Sequence, residues 1–461
     1  FNQAWGRCEL WTRAEGIEAT APRSGFVCFK YDRKFIAADT FLRGSTAAPT
    51  TSSTSIEATT ATKTTTRTLP PTTLAPRTTT TPAPSTTTRP ALTSPLAITR
   101  VTEHVFSRLE VKHLSVVNLT ATTALVCSTT RVKSACRVLD VSGATVLFHP
   151  EFTVDDTAMS VKLSVDRLSP YSVIACFTTH DSGAFRSKLV CRVLSITGSI
   201  VAKGEPTQID LGDEVVFSMT TLGLSPSSAL VCYEKVVDES LVGVCRMVAV
   251  AGKQLFPGGH VDIGTGDLEF GPEIVATRFS HDRALVCYRG NEPHSDEQAT
   301  CTVLTLVGIA IVKGDDFALS NGHFHSLSAV GLSPTAAMVC LKDFTTRPAH
   351  SSCSLLAASG AVLSRVDRIE VFTGRTSVSR LSESAALACS SDGHHQHTTM
   401  CTTLALVGSF LVKGKDHTMQ AIGTGEVFAA AGLSSTSALL CFEGEASATA
   451  KQGVCSSVEL S

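Results

Sequence analysis

The chain has 461 residues, of which 43% are hydrophobic and 17% charged, and its 39 Lys and Arg nearly balance its 41 Asp and Glu. This length is enough for one large core with accessory pieces. The balance of charge gives no electrostatic basis for binding nucleic acid or an anionic membrane surface. No apolar run has the length of a transmembrane helix, so we expect no direct membrane insertion.

Residues 1–44 are predicted to form a small disulfide module. The 16 cysteines sort into eight consecutive pairs, of which Cys8 and Cys28 are the first. Such pairs indicate disulfides, and therefore a secreted or extracellular location. The strings CELWT at residues 8–12 and GFVCF at residues 25–29 resemble the C-terminal end of a PAN/apple-type module. The resemblance implies a segment that binds proteins or carbohydrates.

Residues 45–94 are predicted to be a linker without a folded core. Thr dominates this segment, together with Pro, Ser and Ala. A segment of this composition cannot bury enough apolar surface to fold alone. In an extracellular protein it is typical of an O-glycosylated, mucin-like stalk, and an unmodified flexible linker is the alternative.

Residues 95–461 contain seven repeats. Each repeat has Leu or Phe followed by Ser or Thr, a cysteine eight places after the Leu or Phe, and a second cysteine nine to fifteen residues later. The Leu and Phe residues are Leu119, Leu168, Leu224, Phe279, Leu332, Leu381 and Leu433. The cysteine pairs are Cys127 and Cys136, Cys176 and Cys191, Cys232 and Cys245, Cys287 and Cys301, Cys340 and Cys353, Cys389 and Cys401, and Cys441 and Cys455.

Each repeat is predicted to form four antiparallel strands, A to D. Apolar alternation and short apolar runs indicate strands, and no sustained helical period occurs. Four-stranded units repeated seven times are typical of a β-propeller, so we predict an all-β, seven-bladed propeller. A disulfide would join strands B and C of each blade and contribute about 3 kcal/mol. Through the string ALVCY at residues 229–233 and 284–288, the repeats resemble those of secreted propeller proteins of unknown function.

The seventh repeat ends before the glycine turn that should precede its strand D. A ring with a missing strand would leave an unpaired edge. Leu96 to Arg100 is therefore predicted to close the ring beside strand C of the last blade, near Cys455 to Leu460.

The sequence contains few signals for chemistry, and we expect no metal or cofactor. Asp392, His394, His395 and His397 lie together between Cys389 and Cys401, where metal binding is conceivable but an exposed hairpin is favoured. Asn118 begins a sequon for N-glycosylation. The repeats contain no Trp and only Tyr171, Tyr233 and Tyr288, which argues against a lectin with seven equivalent aromatic sites.

These observations favour an extracellular recognition or adhesion protein that binds a protein or glycan through propeller loops. The hairpins between strands B and C vary in length and charge, and loops on a rigid scaffold commonly carry binding residues. We therefore expect Arg289, Asp392 and His395 to contact the partner. The alternatives are a secreted glycan-processing hydrolase or lyase, which a carboxylate pair at the central channel would favour, and a structural matrix component. The oligomeric state stays open.

Overall fold

The computed structural model describes residues 95–461, apart from residues 131–132, 156–159, 181–186, 211–215, 238–239, 267–272, 291–297, 323, 345–349, 392–398, 420–427 and 448–449. The described residues form seven antiparallel sheets, and no helix occurs among them. No helix that could cross a membrane is therefore found in this part of the chain. The proposed PAN/apple-like module at 1–44 and the linker at 45–94 lie outside the described residues.

Every sheet has four main strands in the order A, B, C, D from the centre outward. Strands A are β2 (His113–Asn118), β7 (Ser160–Ser169), β12 (Val216–Ser225), β16 (Ile274–Arg278), β21 (Phe324–Ser333), β25 (Arg375–Ser382) and β30 (Phe428–Ser434). Strands B are β3 (Thr123–Thr129), β8 (Ser172–His180), β13 (Ser228–Val237), β17 (Arg283–Gly290), β22 (Ala336–Asp343), β26 (Ala385–Ser391) and β31 (Ser437–Ser447).

The outer half of each blade completes the sheet. Strands C are β4 (Ser134–Ser142), β9 (Ser187–Thr197), β14 (Ser240–Ala251), β18 (Gln298–Val307), β23 (His350–Ser359), β27 (Thr399–Val407) and β32 (Ala450–Leu460). Strands D are β5 (Thr145–Phe148), β10 (Ile200–Lys203), β15 (Gln254–Gly266), β19 (Ala310–Lys313), β24 (Val362–Phe372), β28 (Phe410–Lys413) and β1 (Ile98–Ser107). Within the described ranges, four blades add a short strand that pairs with C: β6 (Phe152–Thr153), β11 (Thr207–Gln208), β20 (Phe317–Ala318) and β29 (His417–Met419).

The turn from strand C to strand D explains the glycine of each repeat. Gly198 has a φ of 58° and Gly308 a φ of 64°, in the left-handed region that only glycine enters without strain. The glycine recurs in the first six blades, and its position confirms the predicted boundary between strands C and D.

Seven disulfides confirm the predicted staple between strands B and C. Cys232 lies directly opposite Cys245 in the pairing of β13 with β14, and their Cα atoms are 4.0 Å apart. Directly opposite residues on neighbouring antiparallel strands are close enough for a disulfide to join them. The pairings are Cys127–Cys136, Cys176–Cys191, Cys232–Cys245, Cys287–Cys301, Cys340–Cys353, Cys389–Cys401 and Cys441–Cys455. The eighth expected pair, Cys8 with Cys28, lies outside the described residues.

Strand β1 closes the ring, as the incomplete seventh repeat predicts. It pairs antiparallel with β32, so that Ile98 faces Leu460 and His104 faces Cys455. The strand continues to Ser107, further than the predicted end at Arg100. Its N-terminal side is held by two backbone hydrogen bonds between Ala97 and Ser461, of 2.8 and 2.9 Å.

The apolar core is divided among the contacts between neighbouring blades. Seven clusters of buried side chains occur among the described residues, each built from two adjacent blades. One of them joins the last blade to the first, with Leu433 and Leu439 packed with Val126 and Leu139. Each blade is thus covered on both faces, which explains the apolar runs of strands B and C.

Candidate functional site

The seven strands A surround a central channel that contains two adjoining cavities. The larger cavity has a volume of about 600 Å³ and the smaller about 390 Å³. Ser115 and Ala430 border both. The larger cavity extends to the ends of strands A, where they turn into strands B, and the smaller lies towards the starts of strands A. The two ends of the channel carry different chemical groups.

Hydrogen bonds from side chain to backbone join neighbouring strands A into one wall. In each bond, a serine Oγ of one blade accepts a backbone N–H of the next blade. The donors and acceptors are Val165 N–H to Ser115 Oγ at 3.1 Å, Thr221 N–H to Ser164 Oγ at 3.0 Å, and Val378 N–H to Ser328 Oγ at 3.0 Å. The channel wall is therefore a preorganised support for the groups at its ends.

Three arginines lie at the wider end of the channel. The position immediately before the Leu or Phe of each repeat lies at the end of strand A. In blades two to seven, the residue at this position alternates between Arg and Gly. In blade order these residues are Asn118, Arg167, Gly223, Arg278, Gly331, Arg380 and Gly432. All seven border the larger cavity. We name the end formed by Arg167, Arg278 and Arg380 the arginine mouth.

Two of these guanidinium groups are held by the preceding blade. Arg167 Nη1 donates to the carbonyl oxygen of Leu119 at 3.1 Å. Arg278 Nη1 lies 3.3 Å from the carbonyl oxygen of Gly223 and 3.4 Å from that of Leu224. Arg380 Nη2 is 3.6 Å from a carboxylate oxygen of Glu383, and both side chains are exposed. An exposed ion pair of this kind contributes little, so the third guanidinium can exchange its partner readily.

The glycines between the arginines allow the blades to approach closely. A Cβ atom on Gly223 would lie 2.1 Å from the carbonyl oxygen of Arg167, and one on Gly432 would lie 1.7 Å from that of Arg380. The Gly223 N–H also donates to the Asp166 carboxylate at 2.7 Å. No side chain fits at these positions, and the Gly223 backbone is bound to the blade that carries Arg167. In blades two to seven, Arg and Gly thus alternate from one blade to the next at this position.

The arginine mouth has more positive than negative charge. Asp166 is the one carboxylic acid among the described residues that line the larger cavity. Burial raises the pKa of Asp166, against the lowering effects of the Gly223 N–H and the neighbouring arginines. Burial lowers the pKa of Arg167, and the charge of Arg278 lowers it further. Two guanidinium groups therefore repel each other, and one carboxyl group, that of Asp166, opposes this repulsion.

The opposite end of the channel contains a partly buried acidic side chain, Glu273. Glu273 precedes β16 and borders the smaller cavity, and its Oε1 accepts the Ser326 N–H at 2.5 Å. Ser326 has a φ of 63°, and it is the one non-glycine residue with positive φ among those described. Such a backbone conformation persists only where the surroundings hold it. The carboxylate of Glu273 is one group that holds it.

Glu234 on β13 accepts a hydrogen bond from the Glu273 backbone and is only 5% exposed. Burial raises the pKa of Glu234 to about 7, and the charge of Glu273 adds to this effect, while Arg289 opposes it. Burial also raises the pKa of Glu273, against hydrogen bonds from Ser326 and Leu327. Both carboxyl groups therefore favour the neutral form more than an exposed glutamate does.

The predicted site residues are not brought together among the described residues. Arg289 is only 4% exposed, and its guanidinium lies 5.2 Å from the ring centre of Phe324, next to the strained segment around Ser326. It belongs to the contact between two blades and not to an exposed loop, because β17 continues to Gly290 and pairs Arg289 with Ala299. Asp392 and His395, with His394 and His397, lie outside the described residues. The binding roles of these residues stay predictions.

Asn118, the candidate N-glycosylation residue, ends β2 and borders the larger cavity. It occupies the position that carries arginine or glycine in the other blades.

Of the propeller tyrosines, Tyr233 and Tyr288 are buried and Tyr171 is 71% exposed. No group of three or more possible metal ligands occurs within the described ranges.

Sequence reasoning missed the arginine mouth, although its signal is visible. When the repeats are aligned on Leu or Phe, the preceding residue alternates between Arg and Gly. Periodicity alone could not distinguish the strand that faces the channel from the other strands, so this position was not recognised as part of a site.

Comparison with known proteins gives a fold likeness and no family. No family model matches the chain, and no curated protein matches it. A protein of unknown function from Dyadobacter fermentans is 10% identical, with a TM-score of 0.44 over 79% of this chain and 99% of that one. A protein from Lactobacillus plantarum is 8% identical and has a TM-score of 0.41, and the match covers 66% of this chain and 84% of that one. A polysaccharide lyase described as an ulvan lyase is 8% identical and has a TM-score of 0.47, and the match covers 76% of this chain and 94% of that one.

Proposed function

We propose that this chain is an extracellular recognition protein that binds an acidic group of a protein or glycan partner at the arginine mouth. One observation carries the proposal: Arg167, Arg278 and Arg380 border the same cavity, where Asp166 is the one acidic residue among those described. Guanidinium groups bind carboxylates, sulfates and phosphates through parallel N–H donors, so a surplus of them favours an anionic ligand.

The disulfides support an extracellular location. Seven are present in the described part of the chain, and their sulfur-bearing residues are almost fully buried within the blades. Structural disulfides persist in oxidising compartments and are rare in the cytosol. An extracellular ring joined to a Thr-rich segment suits recognition or adhesion, in which the stalk would separate the ring from the surface that carries it.

The glycan-processing alternative is less well supported. Most glycoside hydrolases use two carboxyl groups that flank the scissile bond and leave room for the substrate between them. Glu273 borders the smaller cavity, but Glu234 is buried and is not among the described residues that line it. The two groups therefore share an interior site and do not face each other across the channel. This arrangement favours binding over hydrolysis.

A binding screen with the full chain tests the proposal. The probes are neutral, carboxylated and sulfated glycans together with acidic peptides. Two double variants are compared with the wild type: one carries R278E and R380E, and the other carries D392A and H395A. We expect acidic probes to bind and the arginine variant to lose binding. The R100E variant is the matched control, because Arg100 is an exposed arginine on β1, away from the channel.

Two results would contradict the proposal. Binding of neutral probes alone would remove the role of charge. Loss of acidic binding in the D392A and H395A variant, with retention in the arginine variant, would place the site on the hairpins between strands B and C, at the opposite face of the ring.

A further inference from the structure

We infer that the arginine mouth binds one tetrahedral oxyanion, a sulfate or phosphate ester group, on the axis of the ring. This inference rests on the proposed function and names the chemistry of its ligand. It follows from the placement of the three arginines, their remaining hydrogen-bond donors, and the space and charge around them.

The arginines occupy equivalent positions around the channel. Each is the residue before the repeat Leu or Phe, so all three lie at the same level of the wall. They come from the second, fourth and sixth blades and therefore approach the axis from three directions. A tetrahedral oxyanion has oxygens directed to several sides, whereas both oxygens of a carboxylate lie in one plane. Three separated guanidinium groups suit the tetrahedral shape better.

The arginines keep donors for a ligand. A guanidinium has five N–H groups. Among the described contacts, Arg167 uses Nη1 for one carbonyl oxygen and Arg278 uses Nη1 for two. These bonds orient the two groups before a ligand arrives, which reduces the entropy that binding must remove. Arg380 has its contact with Glu383 at the exposed rim, where a ligand can replace it.

The mouth also has room for the group. The three intervening positions on blades three, five and seven are glycines, so no side chain competes with the arginines there. The cavity volume of about 600 Å³ lies within the range typical of ligand pockets. An ester group can therefore enter together with part of the molecule that carries it.

A doubly charged anion would relieve the repulsion between neighbouring arginines. The charge of Arg278 lowers the pKa of Arg167, and Asp166 is the one carboxyl group among the described lining residues that opposes this effect. An anion between the guanidinium groups would gain two charge-assisted contacts at once, and such contacts are among the strong hydrogen bonds in proteins.

Thermal unfolding of the full chain with added anions tests the inference. The probes are inorganic sulfate, inorganic phosphate and malonate, compared at one ionic strength maintained with sodium chloride. Malonate carries two charges like sulfate but has planar carboxylates. We expect sulfate and phosphate to raise the midpoint in a saturable manner and malonate to raise it far less, since only a ligand of the folded state stabilises it. The comparison of sulfate with phosphate shows which ester the mouth prefers.

The variants R278Q and R380Q should each weaken sulfate binding by about tenfold or more. The variant R278K should also weaken it, because lysine keeps the charge and lacks the planar fork. The variant R100Q is the control and should bind as the wild type does. The unfolding midpoint of each variant without anion verifies that it folds, which matters most for Arg278 because its side chain also contacts the carbonyl oxygens of Gly223 and Leu224.

Equal effects of malonate and sulfate, or unchanged sulfate binding in both R278Q and R380Q, would overturn the inference. If acidic ligands still bind through Arg278 and Arg380 without preferring sulfate over malonate, the proposed function stands and the oxyanion inference alone fails. If no anionic probe responds to these arginines, both fail.

Discussion

Replacement of Glu234 by glutamine should stabilise the propeller at alkaline pH. Glu234 is only 5% exposed, and burial raises its pKa from 4.5 to about 7. The folded state therefore holds the proton more tightly than the unfolded state does. Between pH 4.5 and 7 the unfolded chain loses this proton first, so the free energy of unfolding falls as the pH rises.

The size of the effect follows from the two pKa values. The difference between 4.5 and about 7 corresponds to about 3 kcal/mol, which is the contribution lost above pH 7. A glutamine side chain does not titrate and resembles the neutral acid in shape. The E234Q variant should therefore exceed the wild type in stability at pH 8 by up to about 3 kcal/mol, and the two should converge near pH 4.5.

Urea unfolding of the full chain with intact disulfides, followed from pH 4.5 to 8.5 in steps of about half a unit, measures this difference. The E370Q variant is the control for the substitution itself, because Glu370 is exposed on β24. If the wild type is more stable than E234Q at pH 8, the attraction between Glu234 and Arg289 exceeds the penalty of burial, and the reasoning is wrong.

Three further predictions concern the ring itself. Gly432→Ala should destabilise the chain by about 3 kcal/mol in urea unfolding, because its Cβ would lie 1.7 Å from the Arg380 carbonyl oxygen. If Gly432→Ala loses less stability than Gly198→Ala, whose Cβ meets no neighbour, the blades do not approach as closely as described. Deletion of residues 1–107 should lower the unfolding midpoint because it exposes the edge of β32, whereas deletion of residues 1–90 should leave the midpoint unchanged. Equal midpoints for the two deletions would show that β1 does not close the ring. Peptide mapping without reduction should yield the seven pairs within blades and Cys8 with Cys28, and abundant pairs between blades, such as Cys136 with Cys176, would contradict the strand pairing.

The fold could be predicted from the sequence because its signals recur seven times. A single apolar run before a cysteine could belong to many structures, but the same run at a fixed distance from Leu-Ser in every repeat defines one supersecondary unit. The closing strand was predictable for a related reason, since an unpaired strand edge is unfavourable and an apolar segment directly precedes the first repeat.

The candidate site was not predicted from the sequence, because it depends on differences among the repeats. Arg167, Arg278 and Arg380 acquire a common role only when three blades place them around one cavity. Arg289 was expected on an exposed hairpin because it follows Cys287 closely, but the sheet continues past the disulfide and buries it. Glu234 and Glu273 occupy different repeat positions on neighbouring blades, so no linear motif relates them.

The central claim is that an anionic group enters the arginine mouth, and a crystal of the full chain soaked in selenate tests it most directly. Selenate is tetrahedral and doubly charged, and the anomalous scattering of selenium locates it independently of the protein. We predict a selenate on the ring axis within hydrogen-bond distance of at least two of Arg167, Arg278 and Arg380. Selenate bound only at the opposite face, or absent from the channel at saturating concentration, would contradict the claim.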